Sequence, residues 1–362
     1  MTYTRRRILC RTAASDRLFD EPLQILLNGL KRLEYRGYDS AGVGLIRDDT
    51  KDLAIIRRVG KVSNLVAACE GIKFSSGAGV AHTRWATHGV PSDANSHPHA
   101  SMKGDTCVVH NGIVENYLSL RQQLTEKGYK FSSETDTEVL VHLIDDILKS
   151  GIAKTLIEAV RVTLTQVEGT FGIAVLSTRF PGVMIGARRG SPLLVGVGEK
   201  ASSTGKNKEF FLASDASAIV EHTSNVMYLK DNDVVRLSIE DGLVVQTLDK
   251  VVVPREIHQL SMKRSEIEKG GYKHFMIKEI FDQPRCLREC LRGRVTPKSL
   301  KLGGLEKQGP QLYKAKRIII CACGTSWHAG LLGEYLIEKF ARIPVEVEYA
   351  SEFRFVCVLL FS

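Results

Sequence analysis

The chain has 362 residues, 43% hydrophobic and 25% charged, enough for two ordinary domains with a core each. No apolar run approaches the length of a membrane span. The net charge of +9 is diffuse, with one knot at Arg5, Arg6, Arg7 and Arg11 and a looser spread from Arg255 to Lys301, and no basic strand interleaved with base-stacking aromatics; this excludes a nucleic-acid binder.

The first nineteen residues are Arg-rich with a single acid and form an atypical extension over 1–21. Leu23, Leu26, Leu27, Leu30 and Leu33 recur at helical spacing, which predicts a helix over 18–33. Four short apolar runs, AGVGLI, LAIIRR, GVAHT and TCVVHN, predict strands. Polar helices are expected over 114–127, 137–149 and 153–167. A second strand set follows: FGIAVLS, GVMIGAR, SPLLVGV, EFFLASD, VMYLK, DVVRLS and LVVQTL. KDND, between VMYLK and VVRLS, reads as a hairpin turn. Short loops between strands, with helices grouped apart, predict antiparallel sheets covered by helix layers over 22–248.

The pattern changes near residue 250. Residues 249–270 carry a Pro and a Gly pair and read as a linker. A helix is expected over 272–292. RIIICACG is the continuous apolar strand of a parallel sheet, with Cys321 and Cys323 expected in a core. A turn, an amphipathic helix and the strand PVEVEYASEF complete one βαβ unit within a second, incomplete domain over 271–362. The eight cysteines contain no C-x-x-C pair and no secretory segment precedes them, which points to reduced thiols and the cytoplasm.

Three polar clusters carry the chemistry of the first domain: AHTRWATHG (81–89), VVHNGIVENY (108–117) and SETDTEVL (133–140). Together they offer a cation in Arg84, an anion in Asp136, and an amide donor beside a glycine in Asn111 and Gly112. An amino acid's α-carboxylate, α-amine and reacting carbonyl need those three complements. Two plainer roles compete: Asp136 as the cap of the following helix, and Asn111-Gly112 as a simple turn. Five of the ten histidines fall between His82 and His110, yet no H-E-x-x-H or Cys/His ladder exists, so no metal is expected. In CACGTSWHAG, Gly324, Thr325 and Ser326 lie between strand and helix, where backbone N–H groups and two hydroxyls suit a phosphate.

These stretches, with LEYRGYDSAGVG (33–44), NSHPH (95–99), ARRGSPLLVGV (187–197), ASDASAIVEHT (213–223) and KEIFDQP (278–284), resemble the glutamine–fructose-6-phosphate amidotransferase family, collinearly from about residue 22 to residue 354. The resemblance implies an α+β glutaminase domain of the N-terminal-nucleophile fold, an αββα sandwich. After it comes the start of an α/β sugar-isomerase domain with a parallel sheet. By that analogy Arg84 holds the glutamine carboxylate with Thr87 and His88. Trp85 closes over the substrate and gates ammonia. Asn111 and Gly112 form the oxyanion hole, Asp136 binds the amine, and Arg36 lies near the nucleophile. Thr325 and Ser326 touch the sugar phosphate. The implied reaction takes glutamine and fructose 6-phosphate to glucosamine 6-phosphate without cofactor, in an enzyme that forms homo-oligomers through its isomerase part.

The family begins Met-Cys-Gly-Ile and exposes that Cys as its nucleophile, whereas this chain begins MTYTRRRILC. Cys10 is followed by Arg-Thr and is not read as the nucleophile, and the first core strand is expected to be missing. The resemblance ends after SEFR, short of the isomerising groups. Two readings follow: an enzyme of this family, or a catalytically dead glutamine-binding fragment or misassembled gene product. For the chain as written the expectation is the second, with glutamine binding retained.

Overall fold

The computed structural model describes residues 7–12, 21–34, 37, 39–72, 76–85, 89–199, 208–260, 270–296, 299–303, 305 and 308–356. The chain divides into two compact units, Thr4–Ile267 and a second from Glu268 onward.

Short apolar strands, most of them buried on both faces, build the first unit. Its strands are β1 (Arg7–Thr12), β2 (Ser40–Ile46), β3 (Leu53–Val59), β4 (Ala78–Arg84), β5 (His99–Ala100), β6 (Thr106–Val114), β7 (Gly169–Ser177), β8 (Val183–Arg189), β9 (Leu194–Glu199), β10 (Lys208–Ala213), β11 (Asn225–Tyr228), β12 (Asp233–Ser238), β13 (Gly242–Thr247) and β14 (His258–Gln259). They form an eight-stranded sheet, β14-β11-β9-β10-β1-β4-β2-β3, and a six-stranded sheet, β13-β12-β8-β7-β6-β5, among the described residues. In β6, Val109 packs with Val80, Leu212 and Leu176 between the sheets. Its neighbour Val108 turns outward and packs with Leu140, Ile144 and Leu156. Those residues belong to α4 (Glu138–Lys149) and α5 (Leu156–Thr165), which with α3 (Tyr117–Glu126) cover the outer face. In the other sheet Phe211, Ala81 and Val43 turn outward onto Leu26 and Leu30 of α1 (Glu21–Leu33), with α2 (Val62–Cys69) beside them. The result is an αββα sandwich with three apolar layers, as alternating strands and grouped helices dictate.

Two expectations fail here. The first core strand is present: β1 lies between β10 and β4, with Cys10 in register with Leu212 on one side and Val80 on the other. RILCRT carries two arginines in six residues, which masks its strand character. KDND is not a hairpin turn. It turns, with Asp233 N donating to Lys230 O at 3.1 Å, but it carries the chain from β11 in one sheet to β12 in the other. Met227 and Val235, on either side of it, both pack between the sheets. The turn chemistry is local and the change of sheet is tertiary.

Part of the stretch read as a linker is built into this unit. β14 pairs with β11, Val253 N donates to Val245 O at 3.0 Å, and Arg255 grips the buried Asp233 through Nε at 2.8 Å and Nη2 at 2.7 Å.

The second unit contains α6 (Phe275–Leu291), the short pair β15 (Val295–Thr296) and β16 (Ser299–Leu300), α7 (Gly309–Leu312), β17 (Ile318–Ala322), α8 (Thr325–Ala341), β18 (Val345–Tyr349) and α9 (Ala350–Val356). β17 and β18 pair in parallel, from Ile318↔Val345 to Ala322↔Tyr349, around the crossover helix α8. The last strand is shorter than expected: V-E-V-E-Y alternates, whereas the following ASEFR does not, and it coils into α9. Cys321 and Cys323 are exposed rather than core, because a two-stranded sheet with helices packed on it does not enclose every residue of its strands.

Candidate functional site

β4 ends in His82, Thr83 and Arg84, all fully buried, and Arg84 is among the largest side chains wholly removed from solvent. Its Nη2 donates to the carbonyl of Gly89 at 3.2 Å, which holds Gly89 against the guanidinium. Trp85 is half-buried at the strand end. Thr87, His88 and Arg36 lie outside the described residues.

Asn111 and Gly112 are not a turn. Both sit inside β6, opposite Gly172 and Phe171 of β7. Gly112 has φ +142, and a Cβ there would lie 2.0 Å from Thr170 O, so the position admits only glycine. His82 Nε2 faces two oxygens, His110 O at 3.2 Å and Asn111 Oδ1 at 3.1 Å. Both oxygens accept, so Nε2 carries the proton and donates to both. The Asn111 amide is thereby fixed with its oxygen on His82, leaving the amide nitrogen to donate elsewhere.

Asp136 is fully buried and does not cap α4. Its Oδ2 accepts from Val114 N at 2.9 Å, tying it to the strand that carries Asn111 and Gly112. The helix N-cap is Thr137, without a side-chain cap bond. Glu138, next in sequence, anchors the loop: its carboxylate accepts from Ser132 N at 2.8 Å, Ser133 N at 2.7 Å and both serine hydroxyls. Burial pushes the Glu138 carboxyl upward, but hydrogen bonds from His142, Ser132 and Ser133 outweigh it and hold the group well below the usual carboxylate range.

The partners of His82, His97, His99 and His110 are the part that sequence reasoning missed, and all four are held by protein groups. His82 stacks on His97, with centroids 4.1 Å apart. His97 Nδ1 accepts from His110 N at 3.3 Å. His110 Nδ1 meets Thr137 Oγ1 at 3.0 Å, and His99 Nε2 meets Thr135 Oγ1 at 3.1 Å. These two threonines flank Asp136. Burial, above all, holds His99 down to about 3; Glu138 and Asp136 pull it up, while Arg57 and Arg84 push it further down. Arg84, two residues beyond His82 in β4, and Asp136, held on Val114 of β6, are linked through the bond from His82 to Asn111 of β6. The signal available in sequence was the histidines' position inside or beside strands whose alternate residues are apolar, which marks buried structural imidazoles.

In the second unit Gly324, at φ +62, precedes α8, and Thr325 and Ser326 are exposed in its first turn. Trp327 N and His328 N bond back to Gly324 O at 3.0 and 3.2 Å.

The sequence pattern of the glutamine amidotransferase domain family matches residues 43–271, and that of the SIS domain matches residues 311–361. The chain is similar to curated glutamine–fructose-6-phosphate aminotransferases (isomerizing). It is 51% identical to that of Chlorobaculum tepidum over 340 residues, covering 92% of this chain and 53% of the relative. It is 49% identical to that of Bacteroides thetaiotaomicron over 333 residues, 91% of this chain and 53% of the relative. The chain therefore spans about half the length of the curated relatives it matches. Among solved structures it is similar to a glutamine phosphoribosylpyrophosphate amidotransferase from B. subtilis complexed with ADP and GMP, with TM-score 0.55 and 18% identity over 94% of this chain and 65% of that one. An allosteric regulatory enzyme of purine biosynthesis gives TM-score 0.54 and 23% identity over 67% of this chain and 49% of that one. These two likenesses are of fold.

Proposed function

The chain belongs to the glutamine amidotransferase domain family, and from that premise we propose that its first unit binds L-glutamine as the nitrogen donor for amination of fructose 6-phosphate to glucosamine 6-phosphate. One observation carries the reading: a buried guanidinium, a buried carboxylate and a fixed carboxamide converge on β6, where Asn111 bonds His82, two residues before Arg84, and Val114 bonds Asp136. Arg84 is assigned to the α-carboxylate, which a guanidinium grips with paired N–H groups. Asp136 takes the α-ammonium. Attack by a thiolate, a group that no described residue is assigned to supply, would move charge onto the amide oxygen, where Asn111 Nδ2–H and the Gly112 N–H would receive it. Collapse would expel the amide nitrogen as ammonia and leave a glutamyl thioester for water to cleave, with Trp85 as the assigned cover and Thr87 and His88 as further assigned contacts to the carboxylate. Arg36 is assigned beside the attacking group.

In the second unit the start of α8, with Gly324, Thr325 and Ser326, is assigned to the phosphate of the sugar; the aligned N–H groups of a helix start support this. We assign the chain to the cytoplasm, a reading that its scattered cysteines without C-x-x-C pairing support.

A second reading is glutamine binding without hydrolysis, and two described thiols of the first unit bear on it. Cys69 and Cys107 are buried, and burial raises both, Cys107 to about 12, so neither supplies a thiolate.

Calorimetric titration with L-glutamine tests the binding. Arg84→Ala should weaken it roughly ten- to hundredfold, the worth of a charge-assisted contact. Equal affinity in the variant would remove Arg84 from the site. Ammonia release on the same samples separates the two readings.

A further inference from the structure

Asn95 opens NSHPH, a stretch to which the glutamine reading gives no role, and it is buried. Its carboxamide is used on both sides. Nδ2 donates to Val90 O at 2.9 Å and to Glu134 Oε2 at 3.1 Å. Oδ1 accepts from Glu134 N at 2.9 Å. One side chain therefore joins two loops. The first begins at Gly89, whose carbonyl receives Arg84 Nη2. The second carries Asp136 two residues beyond Glu134. Gly89 is fitted to this join: its φ is +75, and a Cβ would lie 2.7 Å from Asn95 Nδ2. A continuous path runs from the Arg84 guanidinium through Gly89, Val90, Asn95 and Glu134 to Asp136.

We infer that Asn95 is a positioning residue that sets the spacing between Arg84 and Asp136, and so selects α-amino acids over ligands carrying only one of the two charged groups. The inference rests on the glutamine reading above. An α-amino acid holds its carboxylate and ammonium on one carbon, at a fixed separation. Two charged groups meet both ends together only if their own separation is held to within about half an ångström. Loops that drift apart still bind either end, but not both at once.

The test uses the full chain, Asn95→Ala, and Glu134→Ala, which removes one bond at an exposed residue. Three probes are titrated: L-glutamine, 4-carbamoylbutanoate without the amine, and 4-aminobutanamide without the carboxylate. Asn95→Ala should lose about tenfold for glutamine, one charge-assisted contact, and less than about threefold for either one-ended probe. Glu134→Ala should show a smaller loss of the same kind. Hydrogen exchange at the Glu134 amide should quicken in Asn95→Ala. Equal losses for all three probes, or none, would overturn the inference, as would unchanged exchange at Glu134. A parent chain that binds no glutamine, with the Glu134 amide still released in Asn95→Ala, would fail the glutamine reading instead.

Discussion

β6 and β17 are both apolar strands, TCVVHNGIV and IIICA, and the two units treat them differently. β6 is buried along nearly all its length, because helices cover one face and a second sheet the other. β17 pairs with β18, and its residues remain half-buried or exposed. The same contrast holds for helices. α4 buries Val139, Leu140, Val141 and Ile144, whereas α8 leaves Tyr335 at 78% and Phe340 at 75% exposure. Apolar composition alone does not bury a residue; the number of layers packed on it does.

Side-chain truncation should reproduce this difference most strongly. Phe211 is fully enclosed between its sheet and α1. Phe211→Ala should cost the first unit about 3–5 kcal/mol, the loss for a large side chain removed from a filled core. Tyr335→Ala should change the second unit by less than about 0.5 kcal/mol, as at an open surface. Denaturant titration followed by hydrogen exchange reads each unit separately. A loss above about 2 kcal/mol for Tyr335→Ala would break the comparison.

Acid should separate the units next, through His99. This imidazole is held neutral by burial, its folded value about 3 against an ordinary 6.5. The unfolded chain therefore binds a proton that the folded chain does not between those values. Stability from this group is complete above pH 6.5 and is lost as the pH falls toward 3. The ring touches Thr135, next to Asp136. His99→Gln should flatten the pH dependence of the first unit's stability by about one proton across it. An unchanged slope would mean that His99 is already protonated in the fold.

The contrast between β6 and β17 also explains what could be read beforehand. Strands such as FGIAVLS and EFFLASD were legible because covering both sides of a sheet makes its strands near-continuous apolar runs. β1 was not, since Arg7 and Arg11 interrupt the pattern and its place is set by Leu212 and Val80, far along the chain. Arg84, Asn111, Gly112 and Asp136 could be singled out by residue type and local motif. Asn95, Glu138 and the imidazoles could not, because a buried polar group declares its role only through partners that folding brings to it. Asn95 meets Glu134, and His82 meets Asn111, across 39 and 29 residues of sequence. The KDND turn shows the same limit: its chemistry was visible, and its sheet change was not.

Helix capping should give the smallest difference. α5 opens on Thr155-Leu-Ile-Glu158, and Thr155 Oγ1 accepts from Glu158 N at 3.4 Å. Glu158 Oε2 in turn accepts from Lys154 N at 3.3 Å, so side chains satisfy backbone donors on both sides of the helix start. α6 opens at His274 with no side-chain cap bond and carries Pro284 within it. Thr155→Ala should therefore cost about 0.5–1 kcal/mol, the low end for a cap because the bond is long. His274→Ala removes no cap and should cost less than that. Amide exchange in the first turn of each helix is the direct measurement. Quickened exchange at Glu158 in Thr155→Ala, beside unchanged exchange at Ile277 and Lys278 in His274→Ala, would show that α5 is fixed at its end as well as along its face. Equal quickening in both would mean that His274 caps α6 in solution, and that the two units differ in layers alone.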